Sequence, residues 1–198
     1  MITDKQEGYV IKYPTAVEFA KKQGDVYWTA DEIQVEKDVQ DILVEMTPAE
    51  RHGVTEVLKL FTLYELDIGT EYWGNVVSTY FPRPEIQRMA STFSFFELGV
   101  HAPFYHKLNE ALGLSSEEFY ASWKKDKALS DRMNFLEELT LNAKMAQDHK
   151  ELAKSIGVFS MMEGAVLYSN FAFLKHFQAQ GKNKLNNVVA GINFSVRK

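Results

Sequence analysis

The sequence predicts an all-α helical bundle. Three observations carry this expectation. Several segments repeat apolar residues at helical spacing, and they open on capping and proline signals. No run alternates apolar and polar residues over the length of a strand. The 198 residues, 45% hydrophobic and 25% charged, suffice for one domain with a hydrophobic core.

Each element has its own signals. Residues 1–46 read as an extended arm with short elements, because "DVYWTADEIQVEKD" mixes aromatics and charges without a long helical period. The bundle is then expected over 47–198. Thr47 is an N-cap, Pro48 suits the first helical position, and Glu50 completes a capping box. Val54, Val57, Leu58, Phe61 and Tyr64 follow at helical spacing, and "FPRP" should break the helix near Tyr80. Pro84 opens a second helix with Glu85 in its first turn, carrying Ile86, Met89, Phe93, Phe96, Val100, Phe104 and Leu108 to a stop near Gly113. In "LSSEEF", Ser115 and Glu118 form a capping box for a short helix, and Ser130 caps a stretch towards Lys154. Gly157 marks a junction before a helix through about Gln178, buried on all sides, which Gly181 ends. Leu185, Val188, Val189, Ile192 and Val196 form a last apolar stripe.

Several function classes are disfavoured. A net charge of −5 and a pI near 5.6 argue against nucleic acid as the main partner. The absence of cysteine excludes disulfides, thiolate metal sites and thiol nucleophiles, and it fits a cytoplasmic protein. The N-terminus lacks the pattern of a signal peptide. The apolar run "GVFSMMEGAVLYSNFAFL" places Glu163 mid-span, which argues for a protein core rather than a bilayer.

The chemistry lies in polar residues on apolar helices. A buried carboxylate needs a partner or a metal. Glu65 in "LFTLYELDIG", Glu97 in "FSFFELGVH" and Glu163 in "SMMEGAVLY" lie on three different helices. His101 follows Glu97 by one turn and shares its face. Pro103 removes an amide partner from the carbonyl of Gly99, so a π-bulge is expected between Glu97 and Pro103. Taken singly, each residue reads as an ordinary core or hydrogen-bonded group. Together they match three of the four contributions in a carboxylate-bridged di-iron bundle. Carboxylates with imidazole suit iron, and manganese as well.

At this point the sequence resembles the small, radical-generating subunit of class I ribonucleotide reductase, over nearly its whole length. "VYWTADEIQVEKD" is similar to the family's N-terminal tryptophan segment, and "FTLYELDIG" to its first ligand helix, where Glu65 stands in place of the usual Asp. "FFELGVHAPFY" is similar to the Glu-x-x-His-x-x-x-Tyr helix, with one extra residue between Glu97 and His101. "MMEGAVLYSNF" is similar to the third ligand helix. The resemblance implies a ferritin-like bundle and a di-iron centre held by Glu65, Glu97, His101 and Glu163, with Glu97 bridging. It implies a radical on Tyr105, electron delivery by Trp28, and Phe171 in the apolar wall around the radical. The extra residue leaves a rival register with Phe104 at the radical position.

The family's fourth helix carries Asp-Glu-x-x-His, and "NNVVAGINFSVRK" stops about where that motif should begin. The expectation is therefore a bundle incomplete at its C-terminus, from a truncated or split gene. Implied partners are the large catalytic subunit that makes deoxyribonucleotides, a second small subunit, and a polypeptide supplying the missing half. Two other readings stay open: another ferritin-like di-metal oxidase or storage protein, and a non-catalytic helical fragment.

Overall fold

The computed structural model describes residues 1–146, 148–179 and 181–196. All regular structure among the described residues is helical, without a strand.

The first helix, α1 (Pro14–Asp25), lies inside the expected arm. Its buried stripe is only Ala16 and Ala20, too small to stand out as an apolar period. A buried ion pair holds its start. Glu85 accepts from the amides of Lys12 (3.0 Å) and Tyr13 (3.2 Å) and from Arg83 Nε (3.0 Å). The Arg83 guanidinium also lies over the Tyr13 ring. Short elements follow, as expected: 3-10 turns at Ala30–Glu32 and Val35–Asp38, and a π turn at Asp41–Glu45.

Helix α2 spans 48–80. It is an α-helix over Pro48–Asp67, a π-helix over Ile68–Val77, and one α turn at Ser78–Tyr80. The Thr47–Glu50 capping box forms as expected. Helix α3 spans 84–111: Pro84–Phe96, a π turn at Glu97–His101, then Ala102–Ala111. Gly113 follows with φ +73°, the left-handed turn that ends it.

Three expected boundaries shift. The cap of the short helix α4 (Glu117–Ala121) is Ser116 rather than Ser115, and its hydroxyl accepts from Phe119 N. Helix α5 (Lys127–Lys144) is capped by Asp126, whose carboxylate accepts from Leu129 N. Ser130 lies inside that helix and donates to Trp123 O instead. The junction expected at Gly157 falls earlier, where Asp148 caps helix α6 (His149–His176) by accepting from Lys150 N and Glu151 N. At Asp148 the one oxygen Oδ1 accepts from both free amides, each at 2.8 Å, and Asp148 with Glu151 is the pattern of a capping box.

Helix α6 is not buried on all sides. Leu152, Phe159, Phe171 and Leu174 face the core, whereas Met161 is 71% exposed and Tyr168 and Phe173 are also exposed. It is long and apolar enough to cross a membrane by length and composition. Glu163 interrupts its middle, within a π segment at Met162–Leu167.

Helix α7 (Asn186–Ser195) closes the described chain. Asp38 accepts from Asn187 N, Asn187 Nδ2 and Val188 N, and Asp41 accepts from Leu185 N, so the arm caps this helix. Its expected stripe holds, with Leu185, Val188, Val189 and Ile192 buried. Two apolar clusters make the core. Helix α2 gives Phe61 to one and Tyr64 to the other; α3 gives Phe96 and Val100 to one, Ile86 and Ala90 to the other.

Candidate metal centre

Glu65 sits in the last α turn of α2, and Glu97 opens the π turn of α3. Both are buried, at 3% and 9% exposure. His101 Nδ1 lies 2.6 Å from Glu97 Oε2 and 4.0 Å from Glu65 Oε2. One donor atom from each of the three residues lies within 4.8 Å of the others. Half-buried Glu163 joins them on the wall of a cavity of about 580 Å³. Among the described residues, no second histidine enters this cluster.

The wide turn has a local cause. The amide of Ala102 reaches back five residues to Glu97 O, and Pro103 follows without an amide of its own. This is the expected bulge, and it brings Glu97 and His101 together despite the extra residue. Gly69 explains how α2 approaches so closely: a Cβ there would stand 2.7 Å from Leu98 Cγ and 3.1 Å from Glu97 Cβ. Ser94 Oγ donates to Gly69 O across the two helices at 2.7 Å.

Electrostatics describe a site short of positive charge. Burial pushes the Glu65 carboxyl well above the usual carboxylate range, and Glu97 and then Glu163 add to the push. Burial also works against charge on Glu97, but His101 beside it and a hydrogen bond from Glu65 hold it below that range. A cation held here would offset the repulsion among the three carboxylates. The donor set of carboxylates and one imidazole fits a divalent metal of the iron and manganese kind.

Tyr105 lies beside the cluster. It is 1% exposed, its hydroxyl has no hydrogen-bond partner among the described residues, and its ring stacks on Phe61 at 4.7 Å. Burial raises the phenol well above its ordinary value, and the neighbouring Glu65 and Glu97 add to the push. Phe171 packs on Phe61 at 5.2 Å and so backs the Tyr105 ring at one remove. Phe104 turns elsewhere. It meets Trp28 edge-on at 5.3 Å and packs where Gly191 leaves room. Trp28 is 2% exposed, 6.3 Å from the His101 ring and stacked on Phe194.

Sequence reasoning missed the far wall of the cavity. Tyr72 stacks on Phe159 at 3.9 Å, and burial, with Glu163, raises its phenol to about 12. Trp73 stacks on Phe93 at 4.9 Å. The spacing held a signal: Tyr72 follows Glu65 by seven residues and Phe93 precedes Glu97 by four, so each shares a helix face with a glutamate.

A family model described as "Ribonucleotide reductase, small chain" matches residues 7–198. The chain belongs to this family. Its relatives include two probable ribonucleoside-diphosphate reductase small subunits. One, from Invertebrate iridescent virus 6, is 25% identical over 179 residues, covering 85% of this chain and 49% of the relative. The other, from Invertebrate iridescent virus 3, is 24% identical over 197 residues, covering 93% and 51%. The chain therefore spans about half the length of these curated relatives. Among solved structures, it is similar to the ribonucleotide reductase R2 subunit from Clostridium botulinum, with a TM-score of 0.81 and 21% identity, over 93% of this chain and 57% of that one. It is also similar to the dimanganese(II) NrdF of Streptococcus sanguinis, with a TM-score of 0.77 and 19% identity, over 98% and 65%. The fold is the ferritin-like bundle of the ribonucleotide reductase small chain.

Proposed function

We propose that the chain acts in the radical-generating small subunit of a ribonucleoside-diphosphate reductase, with Glu65, Glu97, His101 and Glu163 holding a metal pair. The observation that carries this is the convergence of buried Glu65, Glu97 and His101 beside the unpartnered hydroxyl of Tyr105. Glu65, Glu97 and His101 would hold one metal and Glu163 the other, with Glu97 shared between them. Iron is the metal proposed, and manganese suits the same donors. Bound iron supplies the oxidising power, with O₂ as oxidant, that a phenol needs to lose one electron.

The residues do the rest. Glu65 would be held as a carboxylate, because a bound cation balances the three negative charges. Tyr105 would give one electron and its hydroxyl proton to the O₂-derived oxidant, which is reduced to water, and Phe61 and Phe171 keep bulk water from its ring. Trp28 delivers an electron through the face of α3 that carries His101. The large catalytic subunit receives the radical's oxidising equivalent and makes deoxyribonucleotides. A second small subunit completes a homodimer, and the cytoplasm is the proposed location.

Bundles of this kind draw further carboxylate and histidine ligands from a fourth helix. We therefore expect the 198 residues alone to bind metal weakly and to form little tyrosyl radical with Fe(II) and O₂. A polypeptide carrying the remaining ligands should restore both. Electron paramagnetic resonance and metal analysis, with and without that polypeptide, test this. A radical that survives Tyr105→Phe would overturn the assignment of Tyr105, and complementation without metal uptake would overturn the ligand set.

A further inference from the structure

We propose that Lys107 is a positioning residue that clamps the turn after Trp28 and so fixes the indole against His101 and Phe104. The consequence for radical formation rests on the electron-donor role proposed for Trp28; the clamp itself does not.

Trp28 lies in irregular chain between α1 and the 3-10 turn Ala30–Glu32. Ring contacts hold the indole, but they can slide. What fixes the register of the turn is polar. At its start, Glu32 accepts from Thr29 N at 2.8 Å, which closes the turn on itself. At its end, the Lys107 ammonium faces three acceptors: Asp31 Oδ1 at 3.2 Å, Ala30 O at 3.4 Å and Ile33 O at 3.5 Å. An ammonium has three donors, so all three are used. A cation is also favoured at carbonyls that end a helical turn.

Position on the helix gives the clamp its meaning. His101, Phe104 and Lys107 follow one another at intervals of three, a single ridge of α3. The first two residues of that ridge meet the indole, and the third grips the backbone just after it. Tyr105 is on the same helix, two residues before Lys107. The Asp31 side chain is 93% exposed, so its ion pair with Lys107 adds little, and the two carbonyls carry the clamp.

The test uses the metal-free chain. In a Trp73→Phe, Trp123→Phe background, Trp28 is the sole tryptophan, and acrylamide quenching of its emission reports access to the indole. Lys107→Met keeps the aliphatic stem and loses the donors, so quenching should rise about twofold or more through local opening. Lys107→Arg should restore the parent value, and Asp31→Asn should leave it unchanged. Amide exchange over residues 29–33 gives the same comparison in the natural tryptophan background. Equal quenching and exchange in parent and Lys107→Met would overturn the clamp, as would an Asp31→Asn effect as large as that of Lys107→Met. With iron and the complementing polypeptide, Lys107→Met should lower radical yield at unchanged metal content. A parent that forms no radical while the quenching series behaves as expected overturns the proposed function and leaves the clamp standing.

Discussion

Glu65 and Glu85 are both buried glutamates, and their surroundings drive them in opposite directions. Glu65 meets two other carboxylates; Glu85 meets an arginine and two amides. A carboxyl with a raised folded value contributes most below its unfolded value and loses that contribution as pH rises through the folded one. Glu65 therefore costs the metal-free fold stability at neutral pH. Glu65→Gln should raise the melting temperature without metal. Excess Mn(II) should raise the melting temperature of the parent further and leave that of the variant unchanged. An equal Mn(II) shift in both proteins would remove Glu65 from the ligand set. Glu85 runs the other way. Burial opposes its charge, but the Lys12 and Tyr13 amides and Arg83 outweigh it and lower the group to about 2. Its contribution is full above the ordinary value of 4.5 and disappears as pH falls through about 2. Urea midpoints should fall more steeply between about pH 5 and about pH 3 in the parent than in Glu85→Gln. Parallel curves would mean that the pair does not anchor α1 through its charge.

Three glycines on the long helices rank by what surrounds them. A Cβ at Gly191 would stand 2.1 Å from the Phe104 ring, which is locked between Trp28 and Tyr105. At Gly69 it would strike Leu98 and Glu97, and at Gly99 only the exposed ring of Phe95, at 3.0 Å. Alanine should thus destabilise most at Gly191, by about 1–3 kcal/mol or more. Gly69 should come next, with metal affinity lost as well because Glu97 is displaced, and Gly99 should be nearly neutral. Urea unfolding of the three variants checks the order, and a Gly99→Ala as damaging as Gly191→Ala would contradict it. Much at this scale was legible in the sequence. Prolines and capping residues marked the starts of α2 and α3, and the Glu97–Pro103 spacing announced the π turn. What escaped was set by contact rather than pattern. Two alanines were too faint a stripe to reveal α1, and the choice of Asp126 over Ser130 depended on the hydroxyl finding Trp123 O.

For the molecule as a whole, the clustered glutamates were legible because charge on an apolar stripe stands out. The exposure of α6 was not, because burial is decided by what packs against a helix. Its outer face carries Met161 and Ala165, both exposed, beside the half-buried Glu163. A face of this kind promotes association. Met161→Lys with Ala165→Lys should reduce concentration-dependent self-association and apolar-dye binding, with little change in the urea midpoint. Unchanged association would place the sticky surface elsewhere. Three long helices also share the wide turns at Ile68–Val77, Glu97–His101 and Met162–Leu167. Each helix is in effect spliced from two halves whose inward faces agree only because of an added residue. Removing one residue, Leu98 for example, would swing one half by about 100° against the other, so Glu97 and Tyr105 could no longer face inward together. At these three places the chain is constrained in its count as much as in its chemistry.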